Sequence, residues 1–143
     1  MDGHLEWSIK LSLLLYATTA PGGGMRAEGV VSERGRFFFP ETPGDGPGHA
    51  FAGSVALFAH HGMPLTTFAA LRARPDLSAR WVLEMSPDDG PAVVAFALGT
   101  PRTTEGVLEF TDVTLTEIGS EMFGGYYGAG EPFDPLVIRP ARD

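Results

Sequence analysis

The order of apolar and polar positions predicts one N-terminal helix followed by a series of short strands. Residues 7–16, with the sequence WSIKLSLLLY, form a long apolar run whose side chains cover two neighbouring faces when read at a helical period. A helix with two apolar faces is expected to be buried. Pro21 and the three glycines after it predict where this helix ends, because proline and glycine disfavour a helix interior.

Beyond Gly22, runs of period two between turn-rich segments predict strands. The expected strands are 25–32, 36–39, 51–58, 65–73, 81–85, 92–98, 107–115 and 136–138. Turn residues at 33–35 and 86–91 predict two hairpins, and a second short helix is expected near 117–124. The predicted fold is all-β, a β-sandwich or flattened barrel of antiparallel strands, forming a single domain over residues 1–143.

Composition removes several classes of function. The net charge is −8 and no run of Lys or Arg is present, so neither nucleic acid nor an anionic membrane surface is an expected partner. The chain has no cysteine, which excludes thiolate metal sites, a thiol nucleophile and disulfides. Leu11 to Leu15 is too short to span a membrane, and the start lacks the basic region of a signal peptide. A cytoplasmic location is expected for the sequence as written.

The sequence contains no glycine-rich phosphate loop, nucleophile elbow or metal-spaced cluster of His and Asp, so the common enzyme signatures are missing. Ser12 and Tyr16 are one helical turn apart in the apolar run, which makes Tyr16 either a ligand or a core tyrosine whose hydroxyl is satisfied by a carbonyl. His60 and His61 lie at the end of a predicted strand, where neighbours point to opposite faces, so only one of them is expected to serve a given pocket.

Three segments carry a further pattern: an opening Trp, Lys, Ser and Tyr, a strand running into a Gly-His-x-Gly turn, and a closing Phe, Tyr, Ala-Gly and Asp-Pro. The matching residues are Trp7, Lys10, Ser12, Leu13 and Tyr16, then the segment 53–62 with Ala59 in place of the usual glycine, then Phe123, Tyr127, Ala129-Gly130 and Asp134-Pro135. In this order they cover essentially the whole chain. They resemble the HtaA-type haem-binding domain of actinobacterial surface haem-uptake proteins.

The resemblance implies that ferric haem b is bound with Tyr16 as the axial ligand to the iron, that His60 supports this tyrosine, and that Tyr127 lines or closes the pocket. The ungapped alignment selects His60, whereas a slip of one residue at Ala59 would select His61 instead. Tyrosinate is a hard anion that favours ferric iron. Further expected contacts are Ser12, as a donor to a propionate, and the apolar walls Leu13, Phe58, Met63 and Tyr126.

The expected function is therefore haem acquisition, storage or relay without catalysis. Expected partners are haem, proteins that donate or accept it, and a second copy of the chain in a homodimer. Family members are usually exported and associated with the cell surface, which differs from the cytoplasmic location expected from this sequence. Two alternatives remain open: an immunoglobulin-like interaction or adhesion module without a cofactor, and an enzyme that uses bound haem with peroxide or dioxygen.

Overall fold

The computed structural model describes residues 3–43, 46–62, 64–86 and 90–140, without the side chain of His60. Within these ranges the helices are α1 (Leu11–Thr19) and α2 (Glu117–Met122), and a 3₁₀ turn covers His60–Gly62. The strands are β1 (His4–Trp7), β2 (Gly24–Glu28), β3 (Val31–Glu33), β4 (Arg36–Thr42), β5 (His49–Phe51), β6 (Ser54–Phe58), β7 (Pro64–Ala69), β8 (Arg72–Pro75), β9 (Trp81–Met85), β10 (Val93–Leu98), β11 (Arg102–Thr104), β12 (Val107–Phe110), β13 (Val113–Leu115), β14 (Pro132–Phe133) and β15 (Leu136–Arg139).

The strands form two antiparallel sheets. In the part of the chain that is described, the larger sheet has the order β11-β12-β15-β1-β4-β5-β8-β9-β10-β13-β14, with β3 paired to β4. The smaller sheet has the order β2-β6-β7. The predicted all-β class is confirmed, with the larger sheet curled and two short helices added to it.

The N-terminal apolar run is not one helix, so the predicted helix over residues 7–16 is wrong at its start. Its first part belongs to β1, which pairs with β4 on one side and β15 on the other. Leu5 and Trp7 alternate into the core with a strand period, and the buried sheet satisfies their backbone groups. Ile9, with φ of 60°, separates this strand from α1.

Helix α1 is buried on one side only, so the prediction of a buried helix is also wrong. Leu13, Leu14 and Ala17 point into the core. Leu11 and Leu15 remain exposed at 50% and 57%. The apolar residues therefore fill two different environments, the core and an open face of the helix.

Several predicted strands are each divided into two. Residues 25–32 separate at Gly29, where φ is 68°, and the resulting β2 and β3 join different sheets. The predicted strands 51–58 and 65–73 also divide between the two sheets, whereas 107–115 divides into β12 and β13, which both belong to the larger sheet. The hairpin through Arg34 and Gly35 connects β3 to β4, and the second hairpin connects β9 to β10, so both are confirmed. The second helix is confirmed as α2, whose N-terminus is capped by Thr116.

One hydrophobic core contacts both sheets and the inner side of α1. At its centre the ring of Trp7 meets the rings of Phe68 and Phe96 edge to face, with centroids 5.8 and 5.3 Å apart. Phe133 extends this group at 4.8 Å from Phe96. Within the described ranges, neither helix combines the length and hydropathy that a bilayer crossing requires.

Candidate functional site

The outer side of α1 is unusual because it presents large apolar side chains and a phenol to solvent. Over the described residues, the exposed large apolar side chains are Leu11, Leu15, Tyr16, Met25, Val31, Leu77, Ile118 and Tyr126. Three of these lie on α1, and Ser12 is exposed beside them. A contiguous exposed apolar surface commonly marks a place where a protein meets a ligand or partner.

Tyr16 is 40% exposed, so the alternative of a core tyrosine is wrong. Its Oη has no hydrogen-bond partner among the residues that the structure describes. Ser12 lies one turn earlier on the same exposed side, as the helical spacing predicts. The helix therefore presents a phenol oxygen and a hydroxyl together at the surface.

A glycine-rich loop, Gly124 to Gly130, brings Tyr126 to this surface and Tyr127 beneath it. The ring of Tyr126 stacks on that of Tyr16, with centroids 6.4 Å apart and an interplanar angle of 26°. Gly124 and Gly125 have φ of 63° and 79°, a left-handed turn that directs the loop towards α1. We call Leu11, Ser12, Leu15, Tyr16 and Tyr126 the candidate face.

Tyr127 lies beneath this face and joins it to the core. Its ring is 5.1 Å from that of Tyr126, in an edge-to-face arrangement, and it also packs against Phe123 and Phe133 at 5.5 and 5.7 Å. Burial raises the pKa of Tyr127 above its ordinary value, and Tyr126 and Glu131 raise it further. Tyr127 is thus a neutral, half-buried support for Tyr126.

The turn that carries the two histidines lies beside the end of α1. His61 N donates to the carbonyl oxygen of Pro21 at 2.8 Å, just beyond the helix. A Cβ atom at Gly22 would lie 2.8 Å from His61 Cα, so this approach requires glycine. His61 has φ of 61° and its side chain is exposed. The expectation that the histidines alternate along a strand is wrong, because β6 ends at Phe58 and both lie in the 3₁₀ turn.

The remaining predicted contacts fall into different environments. Phe58 is half-buried at the end of β6, opposite Gly24 of β2. Leu13 is buried in the core and not on the candidate face. Met63 and the side chain of His60 lie outside the described residues.

The structure adds residues to which the sequence assigned no role. The prediction of a buried helix places Leu11 and Leu15 in the core, but both lie on the candidate face. Lys10 and Asp134 belong to the matched segments. Lys10, at the start of α1, donates to the carbonyl oxygen of Pro132, and the carboxylate of Asp134 accepts from the amide of Leu11. Only their presence in the shared pattern could have singled them out. Throughout the described ranges, no three His, Asp or Glu side chains come close enough to share a metal ion.

Sequence comparison identifies the family. The HtaA family model, described as Htaa, matches residues 2–139. The chain therefore belongs to the HtaA family. Comparison with curated protein sequences gave no match.

Solved structures show the same fold. The N-terminal domain of HtaA from Corynebacterium glutamicum superposes with a TM-score of 0.73 at 20% identity, covering 99% of this chain and 98% of that one. The C-terminal domain of HtaA from the same organism gives 0.72 at 19% identity, with 96% and 94% covered. The heme-binding protein HtaB from Corynebacterium glutamicum gives 0.70 at 13% identity, with 96% and 92% covered.

Proposed function

We propose that this protein binds ferric haem b at the candidate face, with the phenolate oxygen of Tyr16 as the axial ligand. The observation that carries the proposal is the state of Tyr16: its ring stacks on that of Tyr126, the residue is 40% exposed, and its oxygen has no hydrogen-bond partner among the described residues. Membership of the HtaA family and the fold shared with the heme-binding protein HtaB support the choice of haem.

The residues of the candidate face suit haem iron, for which the protein has to supply few ligands. Haem supplies an iron already coordinated by four ring nitrogens, so the protein needs to add only an axial donor. Tyr16 provides one oxygen, and a hard phenolate favours the ferric ion. Leu11, Leu15 and Tyr126 offer apolar and aromatic surface for the macrocycle, and Ser12 offers a hydroxyl donor for a propionate.

His60 completes the proposed ligand set as the residue that stabilises the phenolate. An ordinary phenol ionises near pH 10, so a hydrogen-bond donor beside the oxygen helps the anionic form at neutral pH. The backbone of the histidine turn contacts the segment just after α1 through His61 and Pro21. This nearness supports the proposal, while the assignment to His60 comes from the sequence resemblance.

The proposed role is acquisition, storage or relay of haem, exchanged with donor and acceptor proteins and not consumed in a reaction. A tyrosinate ligand suits such a carrier because it binds ferric haem, and reduction of the iron to the ferrous state weakens the iron–oxygen bond. Catalysis with peroxide or dioxygen is not part of the proposal, because the sequence offers no recognisable acid-base set for such a reaction.

The test is a hemin titration of the purified protein with two matched variants. We expect the wild type to develop a Soret band and a tyrosinate charge-transfer band. Tyr16→Phe keeps the stacked ring but removes the oxygen, and should lose the charge-transfer band with a native circular dichroism spectrum. Tyr126→Phe removes the neighbouring hydroxyl and should retain that band.

Two outcomes would contradict the proposal. A Tyr16→Phe variant with the wild-type charge-transfer band would show that another side chain holds the iron. If the wild-type protein takes up no hemin, the alternative of an interaction module without a cofactor explains the exposed apolar side chains better.

A further inference from the structure

Helix α1 begins without a cap of its own. The residue at the N-cap position is Lys10, whose side chain makes no capping hydrogen bond, and the first turn of the helix contains no acidic residue. The first amide groups of a helix have no acceptor within it, and a carboxylate is the favoured partner for them. A lysine is unfavourable there, because the N-terminus of a helix already has a positive partial charge.

Asp134 supplies the missing carboxylate from the far end of the chain. Its Oδ2 accepts a hydrogen bond of 2.8 Å from the backbone N–H of Leu11, across 123 positions in sequence. The backbone of Asp134 is fixed by two further bonds that do not involve this carboxylate. Its N–H donates to Ile9 O at 2.8 Å, and its carbonyl oxygen accepts from Trp7 Nε1 at 2.8 Å. Replacing the side chain therefore removes the cap and leaves these two bonds.

Lys10 makes a second connection between the helix and the same segment. Its Nζ donates to the carbonyl oxygen of Pro132 at 2.7 Å and lies 3.1 Å from a carboxylate oxygen of Glu131. The ammonium also lies over the rings of Tyr127 and Phe133, at 5.7 and 5.4 Å. The start of α1 is thus bound to side chains and backbone within residues 127–133, the segment after Tyr126.

From these contacts we infer that Asp134 is a positioning residue for Tyr16. Tyr16 and Tyr126 lie on two separate elements, α1 and the glycine-rich loop, and their rings stack only if the two elements keep one relative placement. The carboxylate of Asp134 fixes the first turn of α1 to the segment beyond that loop. In its bearing on haem, the inference rests on the proposed function.

The experiment compares Asp134→Ala with Asp134→Asn in the full chain. Asparagine keeps an acceptor oxygen and caps helices about as well as aspartate, whereas alanine does not. Asp76→Ala is the matched control, because the Asp76 carboxylate accepts from the amides of Ser78 and Arg80 in a turn far along the chain from α1. All variants should show native circular dichroism.

The first readout is made without haem, by nuclear Overhauser effects between the rings of Tyr16 and Tyr126. We expect them to weaken in Asp134→Ala and to persist in Asp134→Asn and Asp76→Ala. The second readout is transfer of hemin to apomyoglobin, which should be roughly fivefold faster for Asp134→Ala, the factor that a typical N-cap loss represents. Unchanged ring contacts in Asp134→Ala, or equal effects of Asp134→Ala and Asp76→Ala, would overturn the inference.

A third measurement requires no variant. The Leu11 amide of the wild type should exchange its hydrogen more slowly than that of Ser12, for which the described residues offer no acceptor. Equal exchange would count against the cap. If the wild type binds no hemin, the proposed function fails, while the ring contacts and the amide exchange still decide whether Asp134 positions Tyr16.

Discussion

The molecule has two aromatic groups that differ in almost every physical respect. In the core, Trp7 meets Phe68 and Phe96 edge to face, all three rings are buried, and the indole N–H donates to Asp134 O. On the candidate face, Tyr16 and Tyr126 stack nearly parallel and are exposed at 40% and 65%. The first group removes apolar surface from water, and the second leaves it there.

The difference indicates separate purposes for the two groups. Burying an aromatic side chain stabilises a fold by about 1.5–3 kcal/mol, so the core group contributes directly to folding. A side chain that stays exposed contributes little, which frees the candidate face for a ligand. Asp134 contacts Trp7 of the core group through its carbonyl oxygen, and its carboxylate bonds the backbone amide of Leu11, at the start of the helix that carries Tyr16.

The largest expected contrast concerns stability. Phe96→Ala should lower the free energy of unfolding by about 3–5 kcal/mol, because it leaves a cavity among fully buried rings. Tyr16→Ala should lower it by less than about 1 kcal/mol, since the side chain is partly exposed. Urea unfolding followed by circular dichroism measures both values. Comparable losses in the two variants would contradict the division between core and candidate face.

The sequence predicted only part of this contrast between the core and the candidate face. Alternation and turn residues predicted the all-β class, both hairpins and α2 because each depends on neighbours in the chain. The boundary between β1 and α1 depends on Ile9 in a left-handed conformation, which is uncommon for a β-branched residue and has no sequence signal. An apolar run that crosses such a boundary was therefore predicted to be one helix.

The candidate site divides in the same way. Helical spacing placed Ser12 and Tyr16 on one side of α1, which the structure confirms. The stacking of Tyr126 on Tyr16 and the cap from Asp134 join residues more than 100 positions apart, as the 123-residue separation of Leu11 and Asp134 illustrates. Local patterns do not contain such pairings, and the shared family pattern indicated the segments without the contacts between them.

The second prediction sharpens the role of the histidine turn. His60→Ala should weaken haem retention by about 10–100-fold, the usual effect of removing a residue that supports a metal ligand. His61→Ala, at the neighbouring exposed position, should have little effect. Both variants should keep the wild-type free energy of unfolding, measured in urea without haem. If His61→Ala weakened haem retention and His60→Ala did not, the histidine that supports Tyr16 would be His61.

The third prediction concerns the oxidation state of the iron. Reduction with dithionite should accelerate transfer of haem to apomyoglobin several-fold, because phenolate binds ferrous iron less well than ferric iron. The Tyr16→Phe variant is the matched control and should show a smaller difference between the two states. Equal transfer rates in the wild type would mean that apolar contact with Leu11, Leu15 and Tyr126, and not the bond to iron, controls retention.

The smallest expected effect comes from Tyr127, which lies between the two aromatic groups. Burial favours its neutral form and raises its pKa, so the unfolded chain loses this proton at a lower pH than the native protein does. The stabilising contribution is therefore fully present below the ordinary tyrosine pKa of about 10 and is lost as the pH rises through the higher native value.

Tyr127→Phe removes this dependence while keeping the ring contacts with Phe123 and Phe133. Between about pH 9 and pH 11, the free energy of unfolding should fall less steeply in the variant than in the wild type, because every other titrating group is common to both. At neutral pH the two proteins should show the same pH dependence. Parallel curves throughout the alkaline range would show that folding does not raise the pKa of Tyr127, which would contradict the burial of its hydroxyl between the candidate face and the core.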